Sequence, residues 1–329
     1  MKRALVVGID HYPKAPLRGC VNDAIAVANV LEKNGDGSPN FSVRLLTSDR
    51  TQITTAALHN ALDDLFKADA DTVLFFFAGH GILNDTTNAG YIVAQDGSRP
   101  TWGTSLSELL DRANNAHPRI KSTILILDSC QSGYAGEVAG LTGVPASIIG
   151  TGVTILTACH REGIAAEADG HGLFTSILLD GLEGGSADIC GRITPASVYS
   201  HVDQTLGPWD QRPIYKANVQ SFVTLREVAP KVPLEVLRRL PDYFPDPAFI
   251  FPLDPSYEED RANLPEELAH IPVDREHVRV FKDLQRCNRH GLVVPVNAEH
   301  MYHAAIEATA CRLTALGAHY RKLAETGRI

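Results

Sequence analysis

The chain has 329 residues, 44% of them hydrophobic and 21% charged, and carries a net charge of −9. These proportions are those of an ordinary globular fold, and the length suits one large domain plus a smaller one. The acidic balance excludes a general nucleic-acid or anionic-membrane surface.

Leu5–Ile9 reads as a first strand; its apolar run is too short for a signal core and stops at Asp10, so no secretory leader is expected. Asn22 to Lys33 follows as a helix, with Ala24, Val27, Ala28 and Leu31 on one face. "GDGSPN" breaks it, and "FSVRLL" reads as the second strand. Thr54–Lys67 is an amphipathic helix with Leu58, Leu62, Leu65 and Phe66 inward. "TVLFFFAG" is a continuous apolar strand, the kind buried on both faces, and even with the residues after it is too short to span a bilayer. Ser105–Asn114 is a helix capped by Thr104 or Ser105, with Glu108 completing a capping box. "STILILD" and "GVTILTAC" are further buried strands, Gly172–Leu182 is helical, and "RPIYKA" and "SFVTL" read as short closing strands. Strands alternating with helices indicate an α/β fold with a mostly parallel sheet covered on both faces, whose ligands sit beyond the carboxyl ends of the strands. Composition changes after residue 226: nine prolines lie between Val228 and Pro272. The expected domains are 1–226 and an extension over 227–329, Pro-rich over 228–272 and helical over 275–323 (Arg275–Asn288 and Ala298–Leu323).

Chemistry is suggested where buried strands stop. "ILILDSCQSG" ends an apolar run in an acid, a hydroxyl and a thiol. "FFFAGHGI" ends another in a glycine-flanked histidine. A thiol with a free pKa near 8.5 needs a base to react at neutral pH. Equivalent strand ends therefore make Cys130 and His80 a candidate nucleophile and base. The backbone amides of Gly81 and Cys130 are the candidate oxyanion donors. Taken alone, a strand-end cysteine is more often an inert small hydrophobe, and a lone histidine more often structural; the matching strand ends and glycine flanks raise the pair above either. His171 is a rival base, read instead as part of a Gly-His-Gly turn before a helix. Cys159 is a rival nucleophile, but its flanks lack the acid-Ser-Cys turn. A metal site from His80, Cys130, Cys159 and His160 lacks ligand-like spacing, so no metal is expected. The six cysteines, at positions 20, 130, 159, 190, 287 and 311, have no CxxC spacing. That argues against a zinc ribbon or a redox dithiol, and fits free thiols in a reducing, cytoplasmic compartment.

"FFFAGHG" and "LDSCQSG" resemble the His and Cys motifs of the caspase-like cysteine peptidases (clan CD, family C14), particularly prokaryotic caspases and metacaspases. "ALVVGIDHYP", "LRGCVNDAIAVANVL", "GYIVAQDG" and "GHGLFTSILLDGL" follow in the same order, so the resemblance spans about residues 3–225. It implies a caspase-like, mostly parallel six-stranded sheet, with the catalytic roles carried to His80 and Cys130 and the oxyanion amides to Gly81 and Cys130. Gln131 replaces the usual His of "DSCHSG", a substitution also met in caspases. Metacaspases cut after Arg or Lys and line that pocket with acids, which here correspond to Asp23 and Asp128. Where a caspase has its first pocket arginine, this chain has Leu17. Asp23 as a helix N-cap and Asp128 as a loop hydrogen-bonder are the structural alternatives. The implied partners are protein substrates with Arg or Lys at the scissile position and an upstream activator. No nucleic acid, membrane or cofactor is expected, and the resemblance leaves calcium open, since no D-x-D-x-D-G loop is present. The connection from Gln131 to His160 contains no Lys, Arg or Asp, so an Arg/Lys-specific enzyme works uncut there. Candidate processing sites are Arg99, Arg161, Arg226, Lys231 and Arg238–Arg239. A catalytically silent scaffold and a doubly wound ligand-binding module are the competing readings; the intact pair argues against the first, and the lack of a GxGxxG or Walker loop against the second.

Overall fold

The structure, a computed structural model, describes residues 1–84, 89–99, 101–129, 149–158, 170–207 and 212–329, with three short backbone stretches at 137–138, 146–147 and 167–168. Cys130, Cys159 and His160 lie outside the described residues. The chain divides into two units, Met1–Ala187 with Arg192–Val228, and Asp188–Gly191 with Ala229–Ile329.

The first unit is built on a six-stranded sheet. Its strands are β1 (Lys2–Gly8), β2 (Ser42–Thr47), β3 (Thr72–Ala78), β4 (Ser122–Asp128), β5 (Val153–Thr157) and β6 (Ile214–Asn218), arranged β6-β5-β4-β3-β1-β2. All neighbours run parallel except β5 and β6. Side chains alternate between the two sheet faces, and here both faces are covered. Leu74, Phe76, Ile124 and Ile126 point into one apolar layer, and Val73, Phe75, Phe77 and Leu125 into the other. This is why the strands read as unbroken apolar runs. Helices α1 (Cys20–Glu32), α4 (Leu173–Asp180) and α5 (Pro195–Leu206) close the first layer; α2 (Thr55–Lys67) and α3 (Leu106–Ala116) close the second. Phe75, Phe76 and Phe77 are fully buried, each contributing about 1.5–3 kcal/mol of transfer free energy.

Local signals account for most element ends. Ser105 and Glu108 form the expected capping box at α3, and Thr54 caps α2 through the Ala57 amide. Helix α1 begins at Cys20, two residues before the expected start. Its orphan amides are capped from outside the helix, by Asp10 at the end of β1, which accepts from Cys20 (2.9 Å) and Val21 (3.2 Å). "SFVTL" is not a strand; the chain pairs instead through Arg226–Glu227, antiparallel to Arg192–Ile193. After His80 a three-stranded antiparallel sheet forms from Gly81–Asn84, Ala89–Ser98 and Thr101–Ser105.

The second unit has its own core, including Val236, Leu240, Phe244, Phe281, Leu284 and Leu292. The helix expected from Arg275 is present over Arg275–Arg289. The span 298–323 is not one helix. Helices Met301–Ile306 and Ala315–Glu325 flank a strand, Ala310–Leu313, which pairs with Ile250–Pro252 and Val293–Val296. Thr314 starts the last helix by capping the Gly317 amide. Arg239, named above as a processing candidate, has its guanidinium on Asp283.

Candidate active site

β3 and β4 are in register, with Ala78 opposite Asp128, and the Gly79 amide donates to the Asp128 carbonyl at 3.2 Å. His80 follows two residues after Ala78; in the chain Cys130 follows two after Asp128. Ser129, the last described residue before the thiol, is buried.

His80 is partly buried and held on several sides. Its Nε2 lies 2.6 Å from the Ala15 carbonyl oxygen. A carbonyl only accepts, so this nitrogen carries the hydrogen, and in the neutral ring Nδ1 is left with the lone pair of a base. The His80 amide donates to the Tyr12 hydroxyl (3.1 Å), and the His80 carbonyl accepts from Val93 N–H (2.9 Å). Gly81, the candidate oxyanion donor, opens the strand Gly81–Asn84 and is partly exposed.

The two candidate acids converge at the start of α4. Asp23, 1% exposed, accepts the Gly172 amide on Oδ2 (2.9 Å), and its Oδ1 faces His171 Nδ1 at 2.8 Å. Asp128, 6% exposed, accepts the Thr175 hydroxyl on Oδ2 at 2.6 Å. A Cβ on Gly172 would fall 2.5 Å from Asp128 Oδ2 and 3.1 Å from Asp23 Oδ2. Both carboxylates therefore pack against Gly172, where not even a Cβ fits. Burial pushes the Asp23 pKa up, and the Gly172 amide and His171 oppose that rise. Asp23 is thus not the N-cap of α1: it sits in the helix's first turn and spends its carboxylate on Gly172 and His171, while Asp10 does the capping. His171, the rival base, is an acid's partner here.

Sequence reasoning passed over Tyr12, the Ala15 carbonyl and Thr175. Thr175 stood in plain view, a hydroxyl on the buried face of "GLFTSILL"; Ala15 acts through its backbone, which leaves no side-chain signal. Among the described residues no three or more His, Cys, Asp or Glu side chains are grouped to hold a metal. Among the same residues no helix is long and apolar enough to cross a membrane.

The model of the caspase domain, the peptidase C14 family, matches residues 1–223. Caspase-1 from Spodoptera frugiperda superposes with a TM-score of 0.50 at 14% identity, over 69% of this chain and 90% of that one. Protein GSU0716 from Geobacter sulfurreducens gives a TM-score of 0.49 at 16% identity, over 70% of this chain and 97% of that one. No curated protein matches the chain. At such identities the likeness to caspase-1 speaks for the fold alone.

Proposed function

This chain belongs to the caspase-domain family of peptidases, and from that premise we propose that it is a cysteine endopeptidase cutting proteins after Arg or Lys. His80 Nδ1 takes the Cys130 thiol proton, and the sulfur attacks the scissile carbonyl carbon. The amides of Gly81 and Cys130 receive the negative charge that develops on the carbonyl oxygen. The C–N bond then breaks, the imidazolium gives its proton to the departing amine, and a thioester remains. Water, losing a proton to the same imidazole, attacks the thioester and releases the carboxylic acid and the thiol.

The observation that carries this reading is the hydrogen bond from His80 Nε2 to the Ala15 carbonyl, at the end of a strand in register with the one that leads to Cys130. It leaves Nδ1 as the proton-accepting nitrogen of the neutral ring. Asp23 and Asp128, which approach each other across Gly172, supply the negative charge that suits a guanidinium or ammonium. The enzyme works in the cytoplasm, uncut between Gln131 and His160, and is latent until an activator acts.

A fluorogenic Arg-peptide assay of the full chain tests the proposal, with calcium, with chelator and after mild trypsin treatment. Cleavage after Arg and Lys, none after Asp, and complete loss in Cys130→Ala are expected. Activity that survives Cys130→Ala, or a preference for Asp, overturns it.

A further inference from the structure

The segment "GIDHYPKAPLRG", Gly8–Gly19, joins β1 to α1 and does more than connect them. Its first half is fastened before Tyr12 is reached. Asp10 and His11 amides donate to Ser48 Oγ (2.9 and 3.2 Å), and Gln95 Nε2 donates to the His11 carbonyl (2.7 Å). The Asp10 carbonyl then accepts from Tyr12 (3.0 Å) and from Leu17 (2.9 Å), closing the loop on itself. The loop so formed delivers two groups to one residue, His80. One is the Ala15 carbonyl on the imidazole; the other is Tyr12.

Tyr12 is 7% exposed. Its hydroxyl accepts from His80 N–H and donates to the Val93 carbonyl at 3.0 Å. Val93 N–H returns a bond to the His80 carbonyl. One hydroxyl thus links the two residues that otherwise meet through a single backbone bond. The phenol ring also lies against the imidazole, with centroids 4.6 Å apart and planes tilted by 52°, within the range of favourable aromatic pairs. Gly79 makes room for this: a Cβ there would lie 2.6 Å from the Tyr12 hydroxyl. Burial pushes the phenol pKa far up, so the group keeps its proton and its bond to Val93 throughout the working range.

We propose that Tyr12 is a positioning residue for the base: hydroxyl and ring together hold His80 so that Nε2 meets the Ala15 carbonyl and Nδ1 stays the accepting nitrogen. The role of base rests on the peptidase reading; the orientation of the ring does not. A base held in advance avoids the loss that a displacement of about 1 Å brings, which reaches roughly a hundredfold in rate.

Tyr12→Phe in the full chain removes the hydroxyl and keeps the ring. Two readouts separate this role from plain core packing. In a Cys130→Ala background, ¹⁵N-histidine NMR is expected to show a slowly exchanging Nε2–H of His80 that broadens or disappears on adding Tyr12→Phe. With the thiol present, kcat on the Arg peptide is expected to fall roughly tenfold, with KM within about twofold, and the acid limb of the pH profile to move. Thermal melting reports whether the variant folds; should it not, Gly79→Ala, which displaces the hydroxyl, decides by the same two readouts. An unchanged Nε2–H signal, or a loss confined to KM, overturns the proposal. A parent protein that cleaves nothing while the NMR signal responds overturns the peptidase reading and leaves the positioning of His80 standing.

Discussion

Two buried aspartates, one in each unit, are held in opposite ways. Asp283, 2% exposed, is ringed by donors: Arg239 through Nε (3.0 Å) and Nη2 (2.6 Å), Tyr243 Oη (2.8 Å), and Arg286 Nη1 (3.4 Å). Burial, and then Asp283 itself, push the Tyr243 pKa up to about 12, so this phenol also remains a donor. Asp23 is as deeply buried, yet among the described residues its partners are an amide and an imidazole, with no Lys or Arg. A buried carboxylate normally finds a cation, because desolvation otherwise disfavours its charge. Asp283 has a permanent one; among the described residues Asp23 has only the imidazole of His171 beside it. The first arrangement serves stability, and the second serves the proposed recognition of Arg or Lys.

The contrast can be broken by substitution. Asp283→Ala removes the acceptor shared by Arg239 and Tyr243 and is expected to cost about 3 kcal/mol, read by calorimetry, with the peptide-cleavage constants of the folded enzyme unchanged. Asp23→Asn is expected to do the reverse. Cleavage after Arg or Lys falls by about a hundredfold in kcat/KM, or about 2.7 kcal/mol, while the fold survives, since His171 can switch tautomer to accept from the new amide. Equal activity in the parent and Asp23→Asn would leave the acid as a helix-terminus ligand for α4 and nothing more. Gly172→Ala comes next. Its Cβ collides with Asp128 Oδ2, an overpacking cost of about 1–3 kcal/mol, and selectivity for basic residues weakens along with melting temperature. The smallest effect is in pH. Asp23 has a folded pKa above its unfolded value. The stability it contributes is therefore complete in the protonated form, below the ordinary carboxylate range, and is lost as pH rises through the folded pKa. Asp23→Asn should accordingly melt above the parent at neutral pH, by less than about 1 kcal/mol, and the gap should close below about pH 4. A gap that widens on acidification would reverse the sign.

Much of the first unit was legible because its elements are decided locally. Phe75–Phe77 and Ile124–Leu127 are apolar on both faces, and only a doubly covered sheet accepts that. Ser105 and Glu108 specify the start of α3 within four residues. Legibility failed where distant partners decide. Asp23 looks like an N-cap until Asp10, thirteen residues earlier, is seen to take that role. The run 298–323 is apolar enough for one helix, but Cys311 and Leu313 are buried in a strand between Ile250–Pro252 and Val293–Val296, and no single-segment pattern announces that pairing. Of the candidate site, His80 was readable as a glycine-flanked histidine at a strand end, whereas Asp23 and Asp128 entered only through the resemblance to metacaspases. Tyr12 and the Ala15 carbonyl were not readable, because their importance lies in how a loop folds back, not in periodicity.

The parallel register of β3 and β4 has a consequence for how such a chain can diversify. A single residue inserted or deleted inside Thr72–Ala78 would turn each following side chain to the opposite layer, exchanging Phe76 with Phe75 and Phe77 between the two cores and carrying His80 off its level. Lengthening a connection beyond the rim costs only a slowly growing closure entropy. Variation among descendants of this sequence should therefore accumulate as inserted surface loops, while the spacing from Thr72 to His80 stays at a constant count.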